Sequence, residues 1–466
     1  MRSILKWGGI ALAAVVVLAC LCGAAYYVFM GHFYPDAPVA DYPKPASALE
    51  AQQQDADYFA RVMAMDRAFT PAERAEANRR IAALKTKLLP PDVFEVRLDQ
   101  ITALADNGHT HLRILGPDRV APNLLPIRVT RFADGFTVMR AKPAYADMLG
   151  GRLESIDGMP AGKVEALIET LRGGLPEFRR ENATIFLVVQ DLLSGLGIAH
   201  DPMKSTWTVR LPSGALVTHT LTAAPLPKED PFPYGFRWLS PEPVKGMSAD
   251  WKSYAPAEGE QPISRRQLDR AFLDAPVAGT CARYIRLQDI TDNGDEKIAP
   301  FLTAEEASLK ATHPCAVIVD LRGNGGGDYT NAWHFSHLLP GLTGHIYILT
   351  DPDTFSAAIT TTAFLKEAGG AKATILGEPI GDRLAFYAEG GQGCLPNSKL
   401  CATYTTGKHN YGGPCTDWGD CFWLNWFYPV RVKSLEPDEA IPQRFSDWNA
   451  GHDAAYERAM AMIKAR

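Results

Sequence analysis

Apolar and polar residues follow different periods in successive stretches of the chain, and each change of period marks a part. Gly8 to Met30 is a run of 23 residues with no charge, enough to span a bilayer with some tilt. Pro35 to Pro45 (PDAPVADYPKP) is punctuated by proline and reads as a tether. From Ser47 to Leu89 apolar residues recur every three or four positions (Leu49, Tyr58, Phe59, Val62, Met65, Phe69, Ile81, Leu84, Leu88), which predicts helices. Thr70-Pro71-Ala72-Glu73 marks a helix start inside that block, Pro90-Pro91 closes it, and Asp92 to Ala105 predicts a further helix. Shorter β-type runs follow: a strand at Phe136 to Met139, and a hairpin of Thr206 to Leu211 and Leu216 to Thr222 across Pro212-Ser213-Gly214. Helices are expected between them at Val164 to Leu171 and Glu181 to Gly197. Pro225 to Pro262 has little periodicity and reads as a linker or strap. Beyond it strands (Tyr284 to Leu287, Ala316 to Leu321, His345 to Thr350, Ala373 to Glu378) alternate with helices (Lys297 to Thr312, Ala357 to Glu367), which predicts a parallel sheet. Val430 to Pro437 and a helix at Asp447 to Ile463 finish the chain.

The chemistry is concentrated in Cys315 to Lys366. The apolar run Ala316 to Leu321 ends in Arg322-Gly323-Asn324-Gly325-Gly326-Gly327, and glycines let a backbone approach closely and aim its N–H groups, as an oxyanion hole requires. The next strand is followed by Asp351-Pro352-Asp353-Thr354-Phe355, then Ser356 and a helix. A serine there is either a helix N-cap or a nucleophile exposed at a tight strand-to-helix turn beside free backbone N–H groups. Far upstream, Asp106-Asn107-Gly108-His109-Thr110-His111 sits in a turn between a helix and a strand, where a side chain can reach a cleft. If the strand has begun, His111 points to the same side as His109.

DLRGNGGG followed some thirty residues later by TFSAAITTTAFLKE resembles the tail-specific, C-terminal-processing serine peptidases. Their relatives include the tricorn core protease and the non-proteolytic interphotoreceptor retinoid-binding protein. The resemblance covers most of the chain beyond about residue 50. It implies an α/β fold with a crotonase-like catalytic domain, and PDEAIP…DWNAGHDAAYERAMAMI resembles that domain's last strand and helix. Residues 126–172, with Leu149 to Gly158 ending in an "I-x-G" turn, resemble a PDZ-type β-rich module, whose open sheet edge takes an extended peptide as an added strand. A small β-domain that binds nothing is the other reading. The division that follows is 1–33 membrane anchor or signal segment, 34–46 tether and 47–105 helical region. Then come 106–225 PDZ-like domain with a helical insertion, 226–280 linker or strap, and 281–466 crotonase-like peptidase domain.

One branch of that family activates its serine with a lysine about twenty-five residues later. Here that turn reads Gly377-Glu378-Pro379-Ile380-Gly381-Asp382-Arg383, and arginine cannot give up its proton. The other branch uses a histidine in a DGHT-like turn, which Gly108-His109-Thr110 matches. The resemblance therefore implies Ser356 as nucleophile and His109 as general base, with His111 as the alternative base. The N–H groups of Gly325 and Ala357 would form the oxyanion hole. A carboxylate should orient the imidazole; Glu378, Glu389, Asp382 and Asp417 are candidates, and Glu389 is the one chosen. Asp320 is read as structural at its strand end, with Arg322 ordering the glycine turn. No cofactor or metal is expected. The substrate class is polypeptide, taken by the C-terminal tail through the PDZ-like module. A catalytically silent member that binds a hydrophobic ligand or a peptide tail is the alternative.

Composition narrows this further. The chain of 466 residues has 46% hydrophobic and 21% charged residues, with 39 Gly and 34 Pro, as in a loop-rich α/β enzyme. A net charge of −6 gives no footprint for a nucleic-acid partner. Arg2 and Lys6 before the apolar span and Asp36 and Asp41 after it put the N-terminus inside. The expected location is a bacterial-type inner membrane, single-pass, with the catalytic domain in the periplasm or outside the cell. A cleaved signal is the competing reading, with Leu18-Ala19-Cys20 as a degenerate lipoprotein-like site. Cys281, Cys315, Cys394, Cys401, Cys415 and Cys421 form an even set on the exported side and suggest disulfides. The spacings of the last four are wide for zinc.

Overall fold

The computed structural model describes residues 2–227, 230, 234–256 and 261–465, and side chains from residue 15 onward. The charges Arg2 and Lys6, and residues 228–229, 231–233 and 257–260 of the expected linker, therefore lie outside what is described.

The long parallel pattern after residue 280 folds into a six-stranded sheet. Its order is Phe272–Pro276, Arg283–Leu287, Val317–Asp320, Ile346–Thr350, Ala373–Gly377 and Glu439–Ala440, all parallel except the first pair. Both faces are covered, which is why its strands are apolar throughout rather than alternating. Val317, Val319, Ile346 and Ile348 bury against the helices Ile298–Thr312, Thr330–Leu342 and Ala357–Gly369. Ile318, Tyr347 and Leu349 bury on the other side, with Tyr456, Ala459 and Ile463 of the helix Ala454–Lys464. The stretch 430–437 is irregular; the last strand is Glu439–Ala440, and the expected C-terminal helix is two, Phe445–Asn449 and Ala454–Lys464. Gly451 at φ +80° separates them and Asp453 caps the second.

Before this domain, the helices Ala48–Met63, Pro71–Leu84 and Pro91–Thr102 form the predicted block. Thr70 and Glu73 close a reciprocal capping box with Pro71 in the first turn. The middle region is a seven-stranded antiparallel sheet with a main order of Lys252–Ser253, Gly135–Ala141, Arg152–Ile156, Lys204–Arg210 and Leu216–Thr222. The helix predicted at 181–197 is two, Pro176–Phe186 and Gln190–Gly195. The strap is not a free linker: the turn Gly235–Leu239 packs on Ile127–Phe132, and the Phe236 ring lies where a side chain at Gly323 would be. Disulfides join Cys281–Cys315, Cys394–Cys401 and Cys415–Cys421, so these thiols are not available to a metal.

The helix Arg2–Phe33 precedes everything, and its stretch Val15–Phe33 is long and apolar enough to cross a membrane, with its side chains turned outward up to Phe33, which is buried.

Candidate active site

The site forms where parallel strands end, the usual ligand position in an open α/β sheet. Val317–Asp320 runs out into the glycine turn, and Ile346–Thr350 into the loop that carries Ser356. Side-chain clamps fix the first loop. Asp320, fully buried, accepts from Tyr284 Oη (2.8 Å) and Arg322 Nε (2.9 Å), and Arg322 also reaches Asp453 at 2.9 and 3.0 Å. These two guanidinium contacts hold the Asp453 carboxyl well below the usual carboxylate range against its burial. Asp320 and Arg322 are thus structural, as expected. Asn324, also fully buried, donates to Leu287 O (2.7 Å) and accepts from Gly326 N (2.9 Å), while its own carbonyl accepts from Phe355 N (2.9 Å). Asn324 thereby sews the two loops together, a role the reading of the glycines had passed over.

Ser356 opens the helix Ala357–Gly369 with φ +54° and ψ −123°, left-handed backbone that a non-glycine residue adopts at a cost of about 1–3 kcal/mol. An N-cap has extended backbone and a side chain bonded into the first turn, whereas Ser356 makes no such side-chain bond. Gly326 lies against it: a Cβ there would come within 2.6 Å of Ser356 Cβ and 2.9 Å of Ala357 N. The N–H groups of Gly325 and Ala357 make no hydrogen bond among the described residues. Gly325 faces a cleft of about 210 Å³ that is also lined by Tyr234, Phe236, Arg237 and Asp353.

His109 belongs to a turn held from three directions. Thr110 Oγ1 donates to Asp66 (2.7 Å), Arg383 donates to the Asp106 carbonyl (3.0 Å) and carboxylate (2.6 Å), and Thr403 Oγ1 donates to the His109 carbonyl (2.7 Å). Burial pushes the Asp382 carboxyl up to about 7. A Cβ on Gly108 would meet the rings of Phe178 and Phe355 at 2.7 and 2.8 Å, which is why glycine precedes the histidine. Arg383, unusable as a base, instead ties down the turn that carries His109.

The imidazole itself is one layer in a column of rings. Phe178 stacks on Phe355 (4.3 Å), Phe355 on His109 (4.3 Å), His109 on Phe386 (5.6 Å) and Phe386 on His409 (5.1 Å). Phe355 is the residue before Ser356, so the structure brings His109 to the loop that carries Ser356. No hydrogen bond joins it to Ser356, however: both ring nitrogens are shut off from solvent without a partner among the described residues. Burial, with the like charges of His409 and Arg172 adding to it, pushes the imidazole down to about 3, so it is neutral at pH 7. His111 turns elsewhere. Its Nδ1 lies 3.1 Å from His109 O and 3.3 Å from Thr403 Oγ1, and its ring lines a separate cleft with Arg172, Asn182 and Tyr234.

The carboxylate expectation needs correction. Glu389 does not meet His109; its carboxylate accepts from Tyr34 Oη (3.1 Å) and stands 3.6 Å from His409 Nε2. The physical reason is the strand pairing Ala385–Ala388 with Gly407–Asn410, which sets Phe386 opposite His409 and leaves the Phe386 ring between the two imidazoles. Glu378 is taken by Arg131 (2.7 Å), and Asp417 accepts from Gly419 N (2.9 Å). His409, which sequence reasoning did not single out, connects through Tyr411 Oη (3.1 Å) to Thr360 Oγ1 (2.6 Å), one helical turn beyond Ser356. Nothing in the local sequence around His409 signals that reach.

No protein-family model and no curated protein sequence matches the chain. Among solved structures, mature CPAF superposes with a TM-score of 0.58 at 13% identity, over 90% of this chain and 98% of that one. The photosystem II D1 C-terminal processing protease (TM-score 0.35, 14% identity, 88% and 98% covered) and the tricorn protease (0.38, 14%, 90% and 37%) are further neighbours. At such identity the CPAF match speaks for the fold.

Proposed function

We propose that the chain is a serine endopeptidase of the tail-specific type, with Ser356 as nucleophile and the N–H groups of Gly325 and Ala357 as oxyanion hole. The observation that carries this is the backbone of Ser356. A serine held at φ +54° and ψ −123° at the start of a helix, against a glycine with no room for a Cβ, stores strain that no fold requirement explains. In this reading the present arrangement is a resting one. Catalysis needs the His109 imidazole to leave its place between Phe355 and Phe386 and meet Ser356 Oγ, take its proton, and return it to the leaving amine. Resting hydrogen bonds of this kind are often unmade before substrate binds.

The domain is read as crotonase-like and the antiparallel sheet as PDZ-like. Leu216–Thr222 pairs only with Lys204–Arg210 among the described residues and is largely exposed, so it is read as the edge that takes an added peptide. The apolar helix is read as an uncleaved anchor. It and the three disulfides agree with a catalytic domain outside the cytoplasm. Fluorophosphonate labelling tests the nucleophile: wild type should label and cleave an unfolded polypeptide, and Ser356→Ala should do neither. Labelling that survives the change would reject this serine. The unpartnered His109 favours a second reading, a ligand-binding protein without hydrolysis; wild type that never labels under any substrate would establish it.

A further inference from the structure

Around the outer end of the apolar helix the surface carries aromatic rings that the peptidase reading leaves unused. Trp418 is 77% exposed, Phe427 66% and Trp426 38%, and the Trp418 and Trp426 rings meet at 4.6 Å with their planes tilted by 52°. They belong to an excursion, the segment 415–428, whose first half is looped by the Cys415–Cys421 disulfide and which seats Phe422, Trp423, Leu424 and Tyr428 against the core of the parallel-sheet domain. The excursion is joined to the helix by rings. Phe29 packs on Trp423 (5.9 Å), Trp423 on Phe427 (5.9 Å), and Phe33, which is buried, on Phe422 (5.6 Å).

The junction is also fixed by polar bonds. His32 Nε2 meets Gly419 O (2.6 Å), and Arg67 donates to both His32 O (3.0 Å) and Gly419 O (2.7 Å). The helix therefore does not leave the body on a free hinge; the position of its end dictates where the excursion stands. The uncharged run Gly8–Met30 is about 34 Å long at 1.5 Å per residue, enough to cross the hydrocarbon of a bilayer with some tilt. Its outer boundary then falls at Phe29 to Phe33. Tyr26 and Tyr27 on the helix, 65% and 75% exposed, reach that boundary from one side, and the excursion reaches it from the other.

From this we infer that Trp418, Trp426 and Phe427 are a second membrane contact, seated at the headgroup level of the outer leaflet. Trp and Tyr favour that level because an apolar ring body and a polar N–H or O–H tip are both satisfied there. The continuity of the patch with the span makes lipid its occupant rather than a second protein. The excursion's carboxylates do not oppose this: Asp420 is held by Tyr387 Oη (2.9 Å), and Asp417 accepts from its own loop. Contact consequently does not depend on anionic lipid. The device sets the tilt of the domain and hence which way the Ser356 cleft looks along the membrane. This inference rests on the anchor reading above and is independent of whether Ser356 is active.

The test uses the full chain carrying Trp7→Phe, reconstituted in phosphatidylcholine vesicles whose acyl chains are brominated near the headgroups. Tryptophan emission should be quenched, and Trp418→Phe/Trp426→Phe, which removes the fluorophores but keeps the rings, should abolish more than about half of that quenching. Equal quenching in both proteins overturns the second contact. Extraction of the chain from the vesicles by carbonate overturns the anchor, and the inference with it. If Trp418→Ser/Trp426→Ser/Phe427→Ser changes the oligomeric size in detergent while the Phe pair leaves quenching untouched, the patch is a protein interface instead.

Discussion

The two halves of the candidate site are built differently. On the serine side every part is fixed through the backbone: the strained Ser356 backbone, two N–H groups without a partner among the described residues, and a glycine turn clamped by Asn324, Asp320 and Arg322. On the histidine side the backbone is clamped as firmly, by Asp66, Thr403 and Arg383, yet the imidazole is stacked between phenylalanines and has no hydrogen-bond partner among the described residues. The serine half is made by adjacent strand ends of one sheet, and the hydrogen-bond ladder sets their spacing. The histidine half arrives from a separate helical region, and only ring packing decides where its side chain lies. Strain can be kept permanently in the first, while the second is free to have two arrangements.

Four measurements sharpen or break that contrast. The largest effect belongs to Gly326→Ala. A Cβ there would stand 2.6 Å from Ser356 Cβ, so fluorophosphonate labelling should fall at least about 100-fold while the sheet stays folded by circular dichroism. Near-normal labelling would mean the serine side is not pre-formed. Next, Arg383→Ala removes two bonds to the histidine turn and should lower kcat roughly tenfold with KM little changed, Arg383→Lys recovering part of it. A loss confined to KM would make Arg383 a substrate contact instead.

The third concerns pH. His109 titrates near 3 in the fold against 6.5 unfolded, so below about 6.5 the unfolded chain binds a proton the folded one refuses, and stability is lost as pH falls. Between pH 7 and 5.5 wild type should lose about 1 kcal/mol more than His109→Phe, measured by urea unfolding. Parallel curves would place His109 in solvent, already out of its stack. The smallest effect is Glu389→Gln. Because that carboxylate faces His409 and Tyr34, kcat should stay within about twofold. A loss of a hundredfold or more would return it to the role of orienting acid and require the Phe386 ring to move.

The legible parts of the site were those written locally. The Gly323 to Gly327 run and the serine before a helix each lie within a few residues, and their geometry follows from strand ends and turn chemistry. Asn324 was visible in the same run, but its two clamps reach Leu287 and Phe355, which no local pattern names. The single helices expected at 181–197 and 447–463 each proved to be two, because apolar spacing continues across a break that capping decides. Glu389 is one of four acids that the sequence offers, and no local pattern ranks them by distance from His109. A positive φ of +59° and the pairing of Ala385–Ala388 with Gly407–Asn410 send it to the far side of Phe386.

By itself the sequence determined the apolar N-terminal span, the parallel sheet with its glycine turn and Ser356, and the histidine turn, because each depends on hydrophobic period or on the backbone freedom of residues next to one another. Only the tertiary structure decided that the His109 ring stacks on Phe355, that Arg383 holds Asp106, that Glu389 faces His409, and that the segment of Trp418 and Trp426 stands beside the end of the apolar helix. Those choices belong to side chains brought together from segments as much as hundreds of residues apart, where packing and desolvation set the rotamer and no local pattern records it.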